Sequence, residues 1–374
     1  MNRLLIVTEL FHPSMGGQEV RYLELGGLFV RNGWSVDIVT IGFDTSPAEE
    51  KIQGMHVRRL LFTDGYRRPD AKLRRDPVAI CKFAFQVRKH LRENRYDVVM
   101  FNLWPLLPQM IHGIPKAWAK DTVTLVDWCE HRSGSFWNAM NTLQSRSTPK
   151  HISVSEGLKR LLATRYGIGD IECIPSGIFV REYRVDEHKA GVLFFGRLSH
   201  HKRPEEAIQA MIIAHEKGYG EHLTVAGGGP QLDELREKYS HLDYVRILGR
   251  VSDAQKLDLF AKHRIHVLPS IREGFPRTVA ESMASGTPTI TTDHQDNGTV
   301  GVVRQYSVGM VVAPGAKSVA EAILHLANSP EEWQRYHQAG LDHSAELDWQ
   351  RVYEKFIKHL FQQPTVDQTS GAAN

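Results

Sequence analysis

The chain has little cysteine and no long apolar run. Its three cysteines, Cys81, Cys129 and Cys173, lie far apart and form no C-x-x-C pair, which argues against a disulfide framework and against a zinc site. A reducing compartment is the simple expectation. No uninterrupted apolar stretch approaches the roughly 18 to 20 residues that span a bilayer. The opening run "RLLIVTEL" has no basic n-region and no small-residue cleavage site, so no secretory signal is expected. A net charge of +3 is too small to argue for nucleic acid. Two cofactor signatures are missing as well. There is no G-x-G-x-x-G, because "AGGGPQL" puts Leu232 where the third glycine belongs, and Asp37 lies inside its strand rather than at the end, where a dinucleotide ribose is held. No D-x-D stands in a suitable loop: Asp293 and Asp296 of "TTDHQDN" are three apart, so a magnesium ion held by closely spaced aspartates is not expected. These absences predict a cytoplasmic protein, attached at most to the inner face of the cell membrane.

What is present is alternation. Apolar and charged fractions of 41% and 24% are those of a soluble globular protein, and 374 residues suit two domains better than one. Short β-branched runs alternate with longer stretches of helical period, which predicts α/β units with parallel sheets. The expected strands of the first half cover 3–9, 35–41, 56–62, 97–103, 122–128, 151–155 and 171–175, with helices at about 17–32, 77–94 and 155–166. After "PSGIFVREYRVDEHKA" the alternation restarts, with strands at 191–197, 222–227, 245–249, 265–270, 287–292 and 308–312. This gives two Rossmann-like, doubly wound domains, 1–176 and 190–345, joined near 176–190. A last amphipathic segment, 346–362, carries Trp349, Val352, Tyr353, Phe356, Leu360 and Phe361 on one helical face, so it is expected to pack back on the first domain.

Ligands of open α/β sheets bind beyond the carboxyl ends of the strands, and three loops there stand out. In "FHPSMGGQEV", Gly16 and Gly17 stand at a helix entrance whose free N–H groups suit an anion, although a glycine pair also serves as a plain helix entrance. In "FFGRLSHHKRPEEAI", Arg197 and Lys202 leave one strand–loop–helix corner, where a guanidinium fork and a point charge can reach one diphosphate. Taken alone, such loop cations are usually only solvated. In "LPSIREGFPRTVAESMASGTP", Glu273 lies on a loop and Glu281 about two turns down the helix expected from Pro276. An acid–base pair would stand closer than the roughly 10 Å this spacing allows. Two carboxylates gripping separate hydroxyls of one long ligand fit better. The plainer reading makes Glu281 an i,i+4 partner on an exposed helix face, but "VAESMASG" is too small and apolar for such a face.

The run "ILGRVSDAQKLDLFAKHRIHVLPSIREGFPRTVAESMASGTPTITTD" resembles glycosyltransferase family 4 (glycosyl transferases group 1), the retaining GT-B enzymes, through its E-x7-E pair, its G-F-P turn and its A-S-G-T-P exit. The segments around Gly16–Gly17, around "SVSEGLKRLLATRYGIGDIECIPSGIF" and around Arg197–Lys202 resemble the same family, so the likeness covers almost the whole chain. It implies a GT-B fold with a cleft between the two domains and a nucleotide-diphosphate-sugar donor held by the second. Arg197 and Lys202 would bind the diphosphate, Glu281 the ribose hydroxyls and Glu273 the donor sugar. The backbone of Gly274, Phe275 and Pro276 would touch that sugar or its phosphate. Arg250 and Val251 would face the base, while Gly16 and Gly17 would line the donor phosphate or the acceptor side. In relatives with D-W-H-E, a histidine stands near the transferred sugar; here "TLVDWCEHR" has Cys129 in that position and His131 two residues on, either a substitute or a structural histidine.

No cofactor is expected, and Arg197 with Lys202 would take the place of a metal. The acceptor expected, a reading drawn from the basic run 67–95, is a glycan or a lipid-linked hydroxyl, in bacterial cell-surface polysaccharide or lipopolysaccharide assembly. Residues 67–95, rich in arginine and lysine with interleaved apolar positions, are compatible with an anionic membrane surface or with a core-facing helix that has a solvated basic side. A nucleotide-sugar epimerase or a sugar phosphorylase on the same fold is the alternative reading.

Overall fold

The structure is a computed structural model, and it describes residues 1–13, 16–43, 45–63, 76–113, 122–131 and 134–361. The chain divides into two compact units. Unit 1 holds Met1–Val154, Lys159–Ile174 and the chain from Tyr353 on, and unit 2 holds Ser155–Leu158 and Pro175–Val352.

Unit 1 follows the order β1 (Arg3–Val7), α1 (Gly17–Arg31), β2 (Ser35–Gly42), β3 (Glu49–Ile52), β4 (Met55–Phe62), α2 (Pro77–Glu93), β5 (Val98–Asn102), α3 (Leu106–Gly113), β6 (Val123–Trp128), α4 (Ser135–Ser145), β7 (Lys150–Ser153), α5 (Glu156–Tyr166) and β8 (Ile171–Cys173). Its eight strands lie in the order β3-β4-β2-β1-β5-β6-β7-β8, and only the β3–β4 pair is antiparallel. β1 and β5 are sealed by helices on both faces, which is why they read as unbroken apolar runs. The sequence reading omits β3, because its hairpin turns on Gln53 and Gly54, both at positive φ, where an Asn-Gly signal would be the recognisable one. It also omits α3 and α4. A buried pair ties α1 to β6: Arg21 Nε donates to Asp127 Oδ2 at 2.9 Å while its Nη2 donates to the Ile174 carbonyl, also at 2.9 Å.

Unit 2 continues with β9 (Val192–Phe195), α6 (Pro204–Glu216), β10 (Leu223–Ala226), α7 (Leu232–Tyr239), β11 (Val245–Gly249), α8 (Asp253–Lys262), β12 (Ile265–Leu268), β13 (Arg272–Glu273), α9 (Arg277–Ala284), β14 (Thr289–Thr292), β15 (Asp296–Asn297), α10 (Gly298–Tyr306), β16 (Gly309–Val312), α11 (Ala316–Asn328) and α12 (Pro330–Ser344). Six parallel strands run in the order β11-β10-β9-β12-β14-β16, and β13 and β15 form a separate two-stranded parallel ribbon. The segment expected to join the domains, 176–190, belongs to unit 2. Ile178 is fully buried and exchanges backbone bonds with Leu347 and Trp349, both at 2.9 Å. Gly177 is required there, since a Cβ would lie 2.5 Å from the Trp349 indole.

The last helix, α13 (Trp349–Phe361), starts in unit 2 and from Tyr353 belongs to unit 1, where Tyr353 and Phe356 pack edge-on against Phe29 of α1 at 5.0 and 5.6 Å between ring centres. Lys150 of β7 anchors its end by donating to the His359 carbonyl at 3.0 Å.

Three buried histidines, in β7, at the end of α8 and in β12, are folded without charge. Burial, the leading cause in each case, holds His151 and His263 at a pKa of about 4 and His266 at about 3. All three shifts are downward from 6.5, so the stability they contribute is complete above about pH 6.5 and is lost as pH falls towards the folded values, because the unfolded chain then binds the extra protons. Each group supplies a slope of up to about 1.4 kcal/mol per pH unit in that window. Denaturant midpoints are expected to fall steeply between about pH 6.5 and 4; a flat profile across that window would contradict this.

Candidate functional site

Strand order fixes where unit 2 can take a ligand. β10 and β11 lie to one side of β9 whereas β12, β14 and β16 lie to the other, so the winding reverses between β9 and β12. The crevice beyond the carboxyl ends of those two strands is the natural ligand position. The segments that leave them are 196–203, with Arg197 and Lys202, and 269–276, with Glu273. Ile271 N donates to the His201 carbonyl at 2.8 Å, which joins the two loops directly.

Three glycines bring a third loop against them. A Cβ at Gly227, whose φ is +136°, would stand 1.9 Å from the Gly196 carbonyl oxygen, and one at Gly229 would stand 2.2 Å from the Leu198 oxygen. Gly228 in turn accommodates the side chain of Arg250, whose Cγ would lie 2.7 Å from an added Cβ. "AGGGP" is therefore a packing device for the loop that bears Arg197, a role the sequence reading did not assign. Arg250 itself is exposed and Val251 half-buried at the exit of β11.

Lys202 and Glu273 meet as an ion pair with side chains only 17% and 9% exposed. The sequence assigns the first to a diphosphate and the second to a sugar; here each neutralises the other, so the two positions are adjacent. Arg197 is exposed. His201, which sequence reasoning passed over, is half-buried beside them, and burial followed by the Lys202 charge pulls its imidazole below the ordinary range, leaving it neutral at pH 7.

α9 starts at Arg277 with Pro276 as its N-cap, one residue later than expected, and no side chain caps it. Within that first turn the Val279 N–H donates back to the Pro276 carbonyl at 2.9 Å. Two turns on, Glu281 is 3% exposed. Lys256 of α8 reaches its Oε1 at 3.2 Å and Arg277 reaches the same oxygen at 3.4 Å. The i,i+4 partnership considered for Glu281 exists, but on a buried face and shared with Lys256. Both contacts fall on Oε1, so Oε2 is the oxygen with capacity for hydroxyl donors. Lys256 was missed because the signal is remote: it lies 25 residues from Glu281, behind the Ser252–Gln255 capping box that starts α8. Gly298, at the start of α10, was missed as well. A Cβ there would stand 2.3 Å from the Gly274 oxygen and 2.8 Å from that of Glu273, so only glycine lets α10 approach this turn.

The remaining assigned residues belong to unit 1. Gly17 begins α1 and Gly16 is its N-cap in ordinary extended conformation; among the described residues, a Cβ on Gly17 would meet nothing within 4 Å. His131 follows β6 and its Nε2 bonds the Tyr166 hydroxyl at 2.8 Å, a partner 35 residues on that no local motif announces. Desolvation pushes the Cys129 thiol well above its usual range, so it is uncharged. Of the basic run 67–95, residues 67–75 lie outside the described residues, and 76–95 contain α2. A groove of about 630 Å³ along edge strand β16, lined in part by Arg304, Met310 and Tyr336, contains none of the assigned residues.

Two doubly wound, largely parallel units make up the GT-B fold. The family model described as Glycosyltransferase Family 4 matches residues 15–181, and that described as Glycosyl transferases group 1 matches 178–343. The chain belongs to this family of glycosyltransferases. It is 26% identical over 328 residues to an uncharacterized glycosyltransferase of Methanocaldococcus jannaschii, a match that covers 77% of this chain and 80% of that one. An O-antigen biosynthesis glycosyltransferase of Escherichia coli, WbnH, is 33% identical over 105 residues, 27% of this chain and 28% of its own. The solved structure of Anabaena HepE in complex with UDP-glucose superposes with a TM-score of 0.73 at 15% identity, covering 96% of this chain and 99% of that one. Among the described residues no helix is long and apolar enough to cross a membrane.

Proposed function

We propose that the protein transfers a sugar from a nucleotide-diphosphate sugar to a hydroxyl of a glycan or lipid-linked acceptor, with retention at the anomeric carbon and without a metal ion. The observation that carries this reading is the convergence of Arg197, Lys202, Glu273 and the uncapped start of α9 at one switch point, with Glu281 held two turns away. A ligand with two phosphates at one end and paired hydroxyls on either side uses all of them. Donor phosphate would compete with Glu273 for Lys202, freeing the carboxylate for the sugar hydroxyls, and Glu281 Oε2 would accept from the ribose. Arg250 and Val251 would stand by the base.

In the transfer step the acceptor oxygen bonds to the anomeric carbon on the face from which the phosphate leaves, the carbon–phosphate oxygen bond breaks, and the acceptor proton passes to the departing phosphate oxygen. Charge growing on the diphosphate is met by Lys202, Arg197 and the α9 N–H groups. As the resemblance implies, Gly16 and Gly17 would line the donor phosphate or the acceptor side, and His131 would stand near the transferred sugar. The UDP-glucose bound by the Anabaena structure and the O-antigen role in the E. coli relative's name support a sugar nucleotide and a cell-surface polysaccharide or lipopolysaccharide product.

The test is product analysis with a panel of nucleotide sugars. Transfer should require acceptor, should be unchanged in EDTA, and should give a product whose anomeric proton coupling matches that of the donor. Conversion of the donor with no acceptor present would instead mark an epimerase, and inverted product or loss of rate in EDTA would overturn the corresponding part of the proposal.

A further inference from the structure

Glu281 is held from outside its own helix. α8 leaves β11 just after Arg250 and Val251, and a capping box fixes its first turn: Gln255 N donates to Ser252 Oγ at 3.3 Å while Ser252 N donates to Gln255 Oε1 at 2.9 Å. Lys256 is the next residue, and its N–H donates to the Ser252 carbonyl at 2.9 Å, so its side chain leaves α8 in a set direction. Lysine side chains are mostly solvated, yet that of Lys256 is only 18% exposed. Its ammonium donates to Glu281 Oε1 at 3.2 Å. Asp253, 3.7 Å from the same ammonium, is fully in solvent, where such a contact contributes little.

The two cations at Glu281 differ in kind. Arg277 stands four residues earlier on the same helix and reaches Oε1 through Nε at 3.4 Å. A guanidinium favours both oxygens of a carboxylate, with two parallel N–H groups, whereas an ammonium acts as a point charge on one. With Arg277 as its sole partner, the buried carboxylate would turn to offer both oxygens to the fork. Oε2 would then be lost to a ligand. Lys256 comes from a different helix and holds Oε1 against that rotation. Among the described residues no donor meets Oε2.

We propose that Lys256 is a positioning residue for the nucleotide's ribose: by holding Oε1 of Glu281 it keeps Oε2 in place for the 2′-hydroxyl, and so sets the preference for a ribonucleotide over its 2′-deoxy form. This deepens the reading of Glu281 as the ribose-binding carboxylate and rests on it. Lys256 acts through Glu281 and touches no reacting atom.

The experiment is isothermal titration calorimetry with UDP, GDP and ADP, each beside its 2′-deoxy counterpart, and melting temperatures are taken on the same preparations. The wild type should bind at least one ribonucleotide about 10-fold more tightly than the deoxy form, the size expected of one hydrogen bond to a charged acceptor. Lys256→Met should bring that ratio close to unity by weakening the ribonucleotide and leaving the deoxy form near its wild-type Kd. Glu281→Gln should do the same, and the double variant Lys256→Met/Glu281→Gln should fall no further. Lys256→Arg keeps the charge and the melting temperature but brings a fork that takes both oxygens, so the preference should be lost there too. An ion pair that only steadies two helices predicts a different pattern, in which Lys256→Met weakens both forms together and Lys256→Arg behaves as the wild type.

A ratio unchanged in Lys256→Met, or in Lys256→Arg should the methionine variant not fold, would overturn the proposal. So would a wild type that binds nucleotide without distinguishing the two forms. A wild type that binds none of these nucleotides would remove the donor-site reading and this proposal with it. Sugar transfer by a chain whose ribose preference survives Lys256→Met would refute the role of Lys256 alone. Loss of that preference in a chain that transfers no sugar would refute the proposed activity and leave the role of Lys256 standing.

Discussion

Lys202→Ala is expected to lower kcat by about 10²- to 10³-fold, the usual loss when one preorganised donor to a developing anion is removed. The direction follows from position: Lys202 is only 17% exposed and lies at the reversal of strand order, so its charge is weakly screened where the diphosphate would depart. A purely structural role predicts something else. Removing one partner of a partly buried pair leaves Glu273 uncompensated, which costs stability, and removing both charges restores much of it. The double variant Lys202→Met/Glu273→Gln should therefore regain a melting temperature near that of the wild type while remaining inactive. Recovery of activity together with stability would mean that the pair only holds two loops together.

Gly298→Ala should cost more in catalysis than in folding. An added methyl would stand 2.3 Å from the Gly274 oxygen and 2.8 Å from the Glu273 oxygen, so either α10 or the 273–274 turn must move. Overpacking of this kind costs about 1 to 3 kcal/mol, which in a unit of this size lowers the melting temperature by several degrees. A displacement of about 1 Å at the turn that carries Glu273 is enough to lower kcat/KM by about 100-fold. Thermal melts and steady-state rates on the same preparation check this; an alanine variant with near-normal rates would show that the turn's position does not matter.

The two sheets were legible because buried parallel strands announce themselves as β-branched runs. "RLLIVTE" and "HVLPS" leave little else to form. Features that depend on turn geometry were not legible, such as the Gln53–Gly54 hairpin that adds β3, and neither were elements of two residues, β13 and β15. α3 and α4 escaped for a different reason: "LLPQMIHG" is short and mostly apolar, and "SFWNAMNTLQS" shows its apolar residues to solvent, so the usual amphipathic period points the wrong way. Arg197, Lys202, Glu273 and Glu281 could be picked out because each follows a strand end or sits at a fixed step into a helix. Lys256, Gly298 and the glycine run 227–229 could not, because what they do depends on contacts across sequence separations of roughly 25 to 30 residues. The composition of "VAESMASG" correctly indicated that Glu281 is buried; that Lys256 shares it was visible only in three dimensions.

Donor-induced thermal stabilisation, measured on the wild-type chain and on Lys202→Ala with the same panel of UDP, GDP and ADP sugars, tests the central claim most directly. One donor, at 100 times its dissociation constant, should stabilise the wild type by about 2.7 kcal/mol, and the same concentration should stabilise Lys202→Ala far less. No response to any nucleotide sugar, or an equal response in both proteins, would contradict the assignment of this switch point as the donor site.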